Sequence, residues 1–104
     1  MMLWQANRFD ALLIEDWDEE YTVFQPDSGK THFFNQISMQ ILIFLDQHPA
    51  TIEQICNHLA KQLQQNPDKN FSQNIEKILY HFDALGLVNK ITQDYRHDGQ
   101  SDSI

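Results

Sequence analysis

Five histidines, a single cysteine and fifteen Asp and Glu residues are the side chains through which this chain could do chemistry. Histidine is the commonest protein base and metal ligand, but both roles need partners brought to one point. Cys56 and His58 lie two residues apart on a helical stretch and so face different ways, which argues against a shared metal. With Cys56 alone, neither an internal disulfide nor a cysteine-rich zinc site can be assembled, and its place in an apolar stripe suits a core thiol better than a nucleophile. Three glycines leave no Gly-rich phosphate loop, and no spacing supports a Ser–His–Asp set or a carboxylate pair in a cleft. The expectation is a protein that is not an enzyme, with no metal and no cofactor. His32, next to the aromatic Phe33 and Phe34, is left with two readings: contact with a ligand, or a structural hydrogen bond.

Charge narrows the partners. Lys and Arg total 7 against 15 acidic residues, a formal charge of -8, which is a poor balance for holding nucleic acid. Glu15, Asp16, Asp18, Glu19 and Glu20 crowd one short stretch, read as a solvated hairpin loop in preference to a docking patch. The longest unbroken apolar run, Ile41 to Leu45, is too short to span a bilayer, and the first residues lack a basic start followed by an apolar run. A cytoplasmic protein with no membrane partner is the expectation.

The elements that must position these residues follow from period. A hydrophobic fraction of 41% in 104 residues suits one folded domain. Leu12-Leu13-Ile14, Tyr21-Thr22-Val23-Phe24 and Lys30-Thr31-His32-Phe33-Phe34 read as three strands, the last two joined through Pro26 and Gly29. Two hairpins in series make an antiparallel meander. The period then becomes helical. Asn35 or Ser38 caps a helix carrying Ile37, Ile41, Phe44 and Leu45 on one face, which ends before His48-Pro49. Thr51 with Gln54 forms a capping box for a second helix with the stripe Ile52, Ile55, Cys56, Leu59, Ala60 and Leu63. Asn70 with Gln73 repeats the pattern for a third, lined by Phe71, Ile75, Ile78, Leu79, Phe82 and Leu85 and stopped at Gly86. Val88 to Ile91 reads as a short extended wing. The expected class is α+β, winged-helix-like, a three-stranded antiparallel sheet followed by three helices, with residues 1–92 as a single domain and 93–104 as a flexible tail.

Within that order, Trp17-Asp18-Glu19-Glu20-Tyr21-Thr22-Val23, then Ser28-Gly29-Lys30-Thr31-His32-Phe33-Phe34-Asn35, the Ile52-Glu53-Gln54-Ile55 helix and the ending Phe82-Asp83-Ala84-Leu85-Gly86-Leu87-Val88 resemble the PqqD-like family. The Gly-x-Thr-His-x-x-Asn segment is most similar to the subset of peptide chaperones in HPr-related systems. The resemblance implies a recognition element for ribosomally made, modified peptides. In it the precursor's leader adds a strand to the third strand, in a groove walled by the third helix, and is presented to a separate peptide-modifying enzyme.

Physical reasoning gives that implication content. The last strand of a meander has one row of backbone groups free to pair with an added strand. About four new backbone bonds at roughly 1 kcal/mol each fall short of an association cost of about 4–15 kcal/mol, so side-chain pockets must add the rest. On the third helix Asn74, Lys77 and His81 flank one side of the apolar stripe and Glu76, Tyr80 and Asp83 the other; the groove takes one flank. The favoured set is Lys30, Thr31, His32, Phe33, Phe34 and Asn35 from the strand with Asn74, Lys77, Ile78, His81 and Leu85 from the helix, since Lys30 and Lys77 make a basic groove for a leader carrying carboxylates. Two rivals stand beside it. A winged-helix DNA reader is disfavoured by the acidic charge, and a structural or regulatory interaction module would use the same edge strand, as a homodimer.

Overall fold

A computed structural model of the chain describes residues 2–92, so the tail expected over 93–104 lies outside the described residues. The strands are β1 (Met2–Ala6), β2 (Leu13–Trp17), β3 (Glu20–Gln25), β4 (Lys30–Asn35) and β5 (Val88–Thr92). The helices are α1 (Gln36–Gln47), α2 (Ile52–Leu63) and α3 (Lys69–Ala84), and a short 3-10 turn covers Phe9–Ala11. The class is α+β, with β2-β3-β4 as a three-stranded antiparallel sheet and three helices.

The meander arises as its pattern predicts, with one change at the acidic stretch. Glu15, Asp16 and Trp17 extend β2 instead of looping out, and Trp17 pairs with Glu20 across a two-residue turn at Asp18 and Glu19. Asp18 takes the left-handed backbone, φ 73°, and its N–H donates to Asp16 Oδ1 at 2.9 Å. Aspartate tolerates that conformation better than most residues. All five residues of β2 are exposed, so nothing in its burial opposes charge there. The second hairpin turns through Pro26 to Gly29, with Gly29 at φ 72° as anticipated.

The helices start at specific caps. Asn35 Oδ1 accepts from the N–H of Ser38, which settles the choice at α1 in favour of Asn35. Thr51 and Gln54 make the expected reciprocal box on α2. For α3 the expected cap at Asn70 is replaced by Asp68, whose Oδ1 accepts from Phe71 N–H at 2.9 Å. A carboxylate there also meets the positive end of the helix dipole, and a tight turn at Pro67, closed by Asp68 N–H to Asn66 O at 2.8 Å, leads into it. At the other end Gly86, φ 77°, closes a Schellman motif: Leu87 N–H reaches Phe82 O and Gly86 N–H reaches Asp83 O.

The strand that period did not reveal is β1. It pairs antiparallel with β5, from Met2 opposite Thr92 to Ala6 opposite Val88, so the expected lone wing is half of a two-stranded ribbon. Trp4 is buried and exchanges backbone bonds with Ala50, at 2.7 and 3.0 Å, fastening the ribbon to the α1–α2 corner. The Lys90 ammonium sits 5.6 Å from the ring centres of both Trp4 and Tyr80, capping an aromatic pair at the edge of the core. One continuous core joins Trp4, Val23, Phe34, Met39, Ile41, Leu42, Leu45, Ile55, Leu59, Ile75, Leu79, Phe82, Leu87 and Val88. Among the described residues no helix is long and apolar enough to cross a membrane.

Candidate functional site

Strand β4 is an edge: the sheet order is β2-β3-β4, and among the described residues β4 is paired on its β3 side alone. Alternation along it sends His32 and Phe34 inward and Thr31 and Phe33 outward. Phe34 is nearly buried and packs against Phe82 of α3, ring centres 5.1 Å apart. That contact sets the distance between strand edge and helix, and beside it opens a cleft of about 290 Å³ lined by Phe33, Phe34, Asn35, Ser38, Lys77, Ile78, His81 and Phe82.

The floor is apolar, from Phe34, Phe82 and the half-buried Ile78; Lys77 and His81 stand exposed on the rim. At one end lies the amino terminus of α1, where Asn35 and Ser38 face the cleft and the helix dipole adds positive character. An extended segment with apolar side chains toward the floor and a carboxylate toward Lys77 and His81 fits this chemistry.

Of the residues the sequence singled out, Phe33, Phe34, Asn35, Lys77, Ile78 and His81 meet around this cleft. The flank carrying Lys77 and His81 is therefore the one that faces β4. Lys30, Thr31, Asn74 and Leu85 do not line it: Lys30 and Thr31 belong to the end of β4 at the second hairpin turn, and Leu85 packs against the core. Two lining residues were given other duties by the sequence, Ser38 as a candidate cap and Phe82 as plain core. Phe82 is core, at 1% exposure, and its ring still forms the floor.

His32 is placed beside the cleft and not in its lining. Gln25, the buried polar residue of the sheet, donates from Nε2 to Leu85 O at 3.1 Å, which leaves its Oε1 as an acceptor. Ser28 Oγ donates to that oxygen at 3.1 Å, and His32 Nε2 lies 3.0 Å from it, so His32 carries its proton on Nε2 and donates. Its ring stacks on Phe34. The structural hydrogen bond is thus present.

Burial first, then the neighbouring His81 and Lys30, hold the His32 pKa below the ordinary histidine value. In the range below about 6.5 the unfolded chain consequently takes up a proton more readily than the fold does. The stability this residue contributes is present above that value and is lost as pH falls through it. The imidazole resonances of His32 should titrate with a midpoint below about 6.5, and His32→Gln should remove that part of the acid sensitivity. A midpoint at or above the ordinary value contradicts the assignment.

Other chemistry-bearing residues are dispersed. Cys56 is buried, with Sγ 3.6 Å from Ser72 Oγ, and the His58 ring stacks on Phe44 at 4.1 Å. Among the described residues no group of three or more His, Cys, Asp or Glu side chains converges as a metal site. No protein-family model matches the chain, and no curated protein or solved structure matches it either.

Proposed function

We propose that this chain is a non-catalytic peptide-binding domain of winged-helix-like, PqqD-like character, which works in the cytoplasm. It captures the leader of a ribosomally synthesised precursor by strand addition along β4 and presents it to a separate modifying enzyme. The observation that carries the peptide-binding part is the coincidence of an unpaired strand edge with an apolar-floored, cation-rimmed cleft on that same side. That the peptide is a leader rests on the sequence resemblance.

The two edges of the sheet differ in a way that favours this reading. On β2 the edge is guarded by Glu15 and Asp16, with Asp18, Glu19 and Glu20 at its turn. Charges of that kind deter strand pairing. The β4 edge carries Thr31 and Phe33 and a single charge, Lys30, at its first position, so it is the less guarded of the two edges. Phe33 is 72% exposed at that edge, which also favours the second reading, a homodimer through β4.

Titration with peptides encoded by small neighbouring reading frames, followed by backbone amide shifts, separates the two. Peptide capture predicts saturable shifts at Thr31–Asn35 and Lys77–Phe82, and Lys77→Glu should weaken binding about tenfold, as loss and reversal of a partly exposed charge pair. Shifts confined to other surfaces contradict capture. Shifts at Thr31–Asn35 that grow with protein concentration alone mark the dimer.

A further inference from the structure

The outer face of the three-stranded sheet borders the cleft at its β4 edge, where Phe33 and Asn35 belong to both, and over β2 and β3 it has a composition of its own. Pairing places Leu13, Phe24 and Thr31 in one row, Glu15, Thr22 and Phe33 in the next, and Trp17, Glu20 and Asn35 in the third. Residues of the opposite parity, Val23, Gln25 and Phe34, are buried against the helices, so these rows face away from the core. Leu13, Trp17 and Phe33 are 62%, 60% and 72% exposed. Single exposed apolar residues are ordinary, but three large ones on one small sheet face mark an interaction surface. The Trp17 indole is not loose: its Nε1–H donates to Thr22 Oγ1 at 2.9 Å, which holds the ring over the middle row, toward Phe33.

The rim around these apolar residues is anionic. Glu15 and Glu20 lie on the face itself, and Asp18 and Glu19 form the turn at its end. From this charge we infer that the outer sheet face docks a second protein, through a surface of that partner in which lysine or arginine residues surround an apolar centre. The carboxylates repel the other candidates. Two copies of this chain would set Glu15 and Glu20 against one another or against the other acids of a chain of net charge -8, and nucleic acid or an anionic membrane would meet the same rim. Apolar anchors supply affinity, and the acidic rim supplies orientation and rate of encounter. Leu13, Glu15, Trp17 and Glu20 lie outside the cleft lining and Phe33 alone of the apolar anchors borders both, so the inference rests on the β2–β3 part of the face and does not depend on peptide capture.

Three synthetic helical peptides test it on the intact chain: one with a Leu/Trp face flanked by lysine, one with the same face flanked by glutamate, and one lysine-rich without apolar residues. Trp4 is 1% exposed and Trp17 60%, so a change in quenchable indole fluorescence reports on the outer face. The lysine-flanked peptide should bind, shift amides of β2 together with Thr22 and Phe24, and weaken about tenfold between low and physiological salt. The Glu15→Lys/Glu20→Lys double variant should lose about tenfold in affinity for it while unfolding at an unchanged temperature. The idea is overturned if the glutamate-flanked peptide binds equally, if the peptide without apolar residues binds equally, or if the shifts gather in the β4–α3 cleft. Should the double variant fail to fold, salt dependence and the comparison among peptides on the natural chain decide alone.

Discussion

Trp4→Ala is expected to destabilise the fold by about 3–5 kcal/mol, the range for removing a fully buried aromatic residue from a packed core. Trp4 is 1% exposed, lies opposite Lys90 in the β1–β5 ribbon, and carries the two backbone bonds to Ala50. Its ring packs edge-on to Tyr80 of α3 and supports the Lys90 ammonium. Truncation leaves a cavity at the junction of ribbon, α1–α2 corner and α3. Thermal or urea unfolding reads the loss directly. A change below about 1 kcal/mol would mean that the ribbon is peripheral to the fold.

The second large effect is expected at Gln25. Gln25→Leu preserves the volume and removes one amide that serves three partners: the Leu85 carbonyl, the Ser28 hydroxyl and the His32 ring. Leu85 is the residue that caps the carboxyl end of α3, where carbonyls have no helical donor. Leaving these groups unmatched in a partly buried site costs about 1–3 kcal/mol. The loss should also loosen α3 against β4, because the amide ties the strand hairpin to the end of the helix whose other residues form the cleft wall. Unfolding measurements give the first effect. Faster hydrogen exchange at Leu85 to Leu87 gives the second, and unchanged exchange there would show that packing alone fixes the helix end.

How much of this was readable beforehand depended on the range of the determining interaction. The α1 and α2 boundaries follow from nearby chemistry, Asn35 and Thr51 at the starts and His48-Pro49 between them, and β3 and β4 from alternation around Pro26 and Gly29. β1 has no such local signature: Met2-Leu3-Trp4-Gln5-Ala6 contains no β-branched residue, and its partner strand lies at the far end of the described chain. Glu15 and Asp16 looked like loop because charge usually means solvent, and an exposed edge strand is equally solvated. For α3 two capping residues competed, and the carboxylate of Asp68 prevails over the amide of Asn70.

The cleft shows the same division. That Lys77, Ile78 and His81 share a flank is helical geometry, available from spacing. Which flank meets β4 is set by the Phe34–Phe82 contact, a tertiary event with no local trace. Ser38 enters because α1 begins immediately where β4 ends, so the first turn of the helix closes the cleft. Lys30 drops out because β4 spans six residues and only its later half runs beside the wall.

The pairing of Met2 with Thr92 has a consequence for how the chain is made. Synthesis proceeds from the amino-terminal side, so β1 emerges well before its partner, β5, the last described element to appear. Until Val88 to Thr92 leave the ribosome, Trp4 has its contact with Ala50 but neither Lys90 nor a neighbouring strand to cover it. Joining segments so far apart in sequence also carries the loop-closure entropy that slows folding. The meander and the α1–α2 pair can assemble before β5 has emerged, whereas the ribbon must wait for it, and the interval between the two is when an apolar indole is open to other proteins.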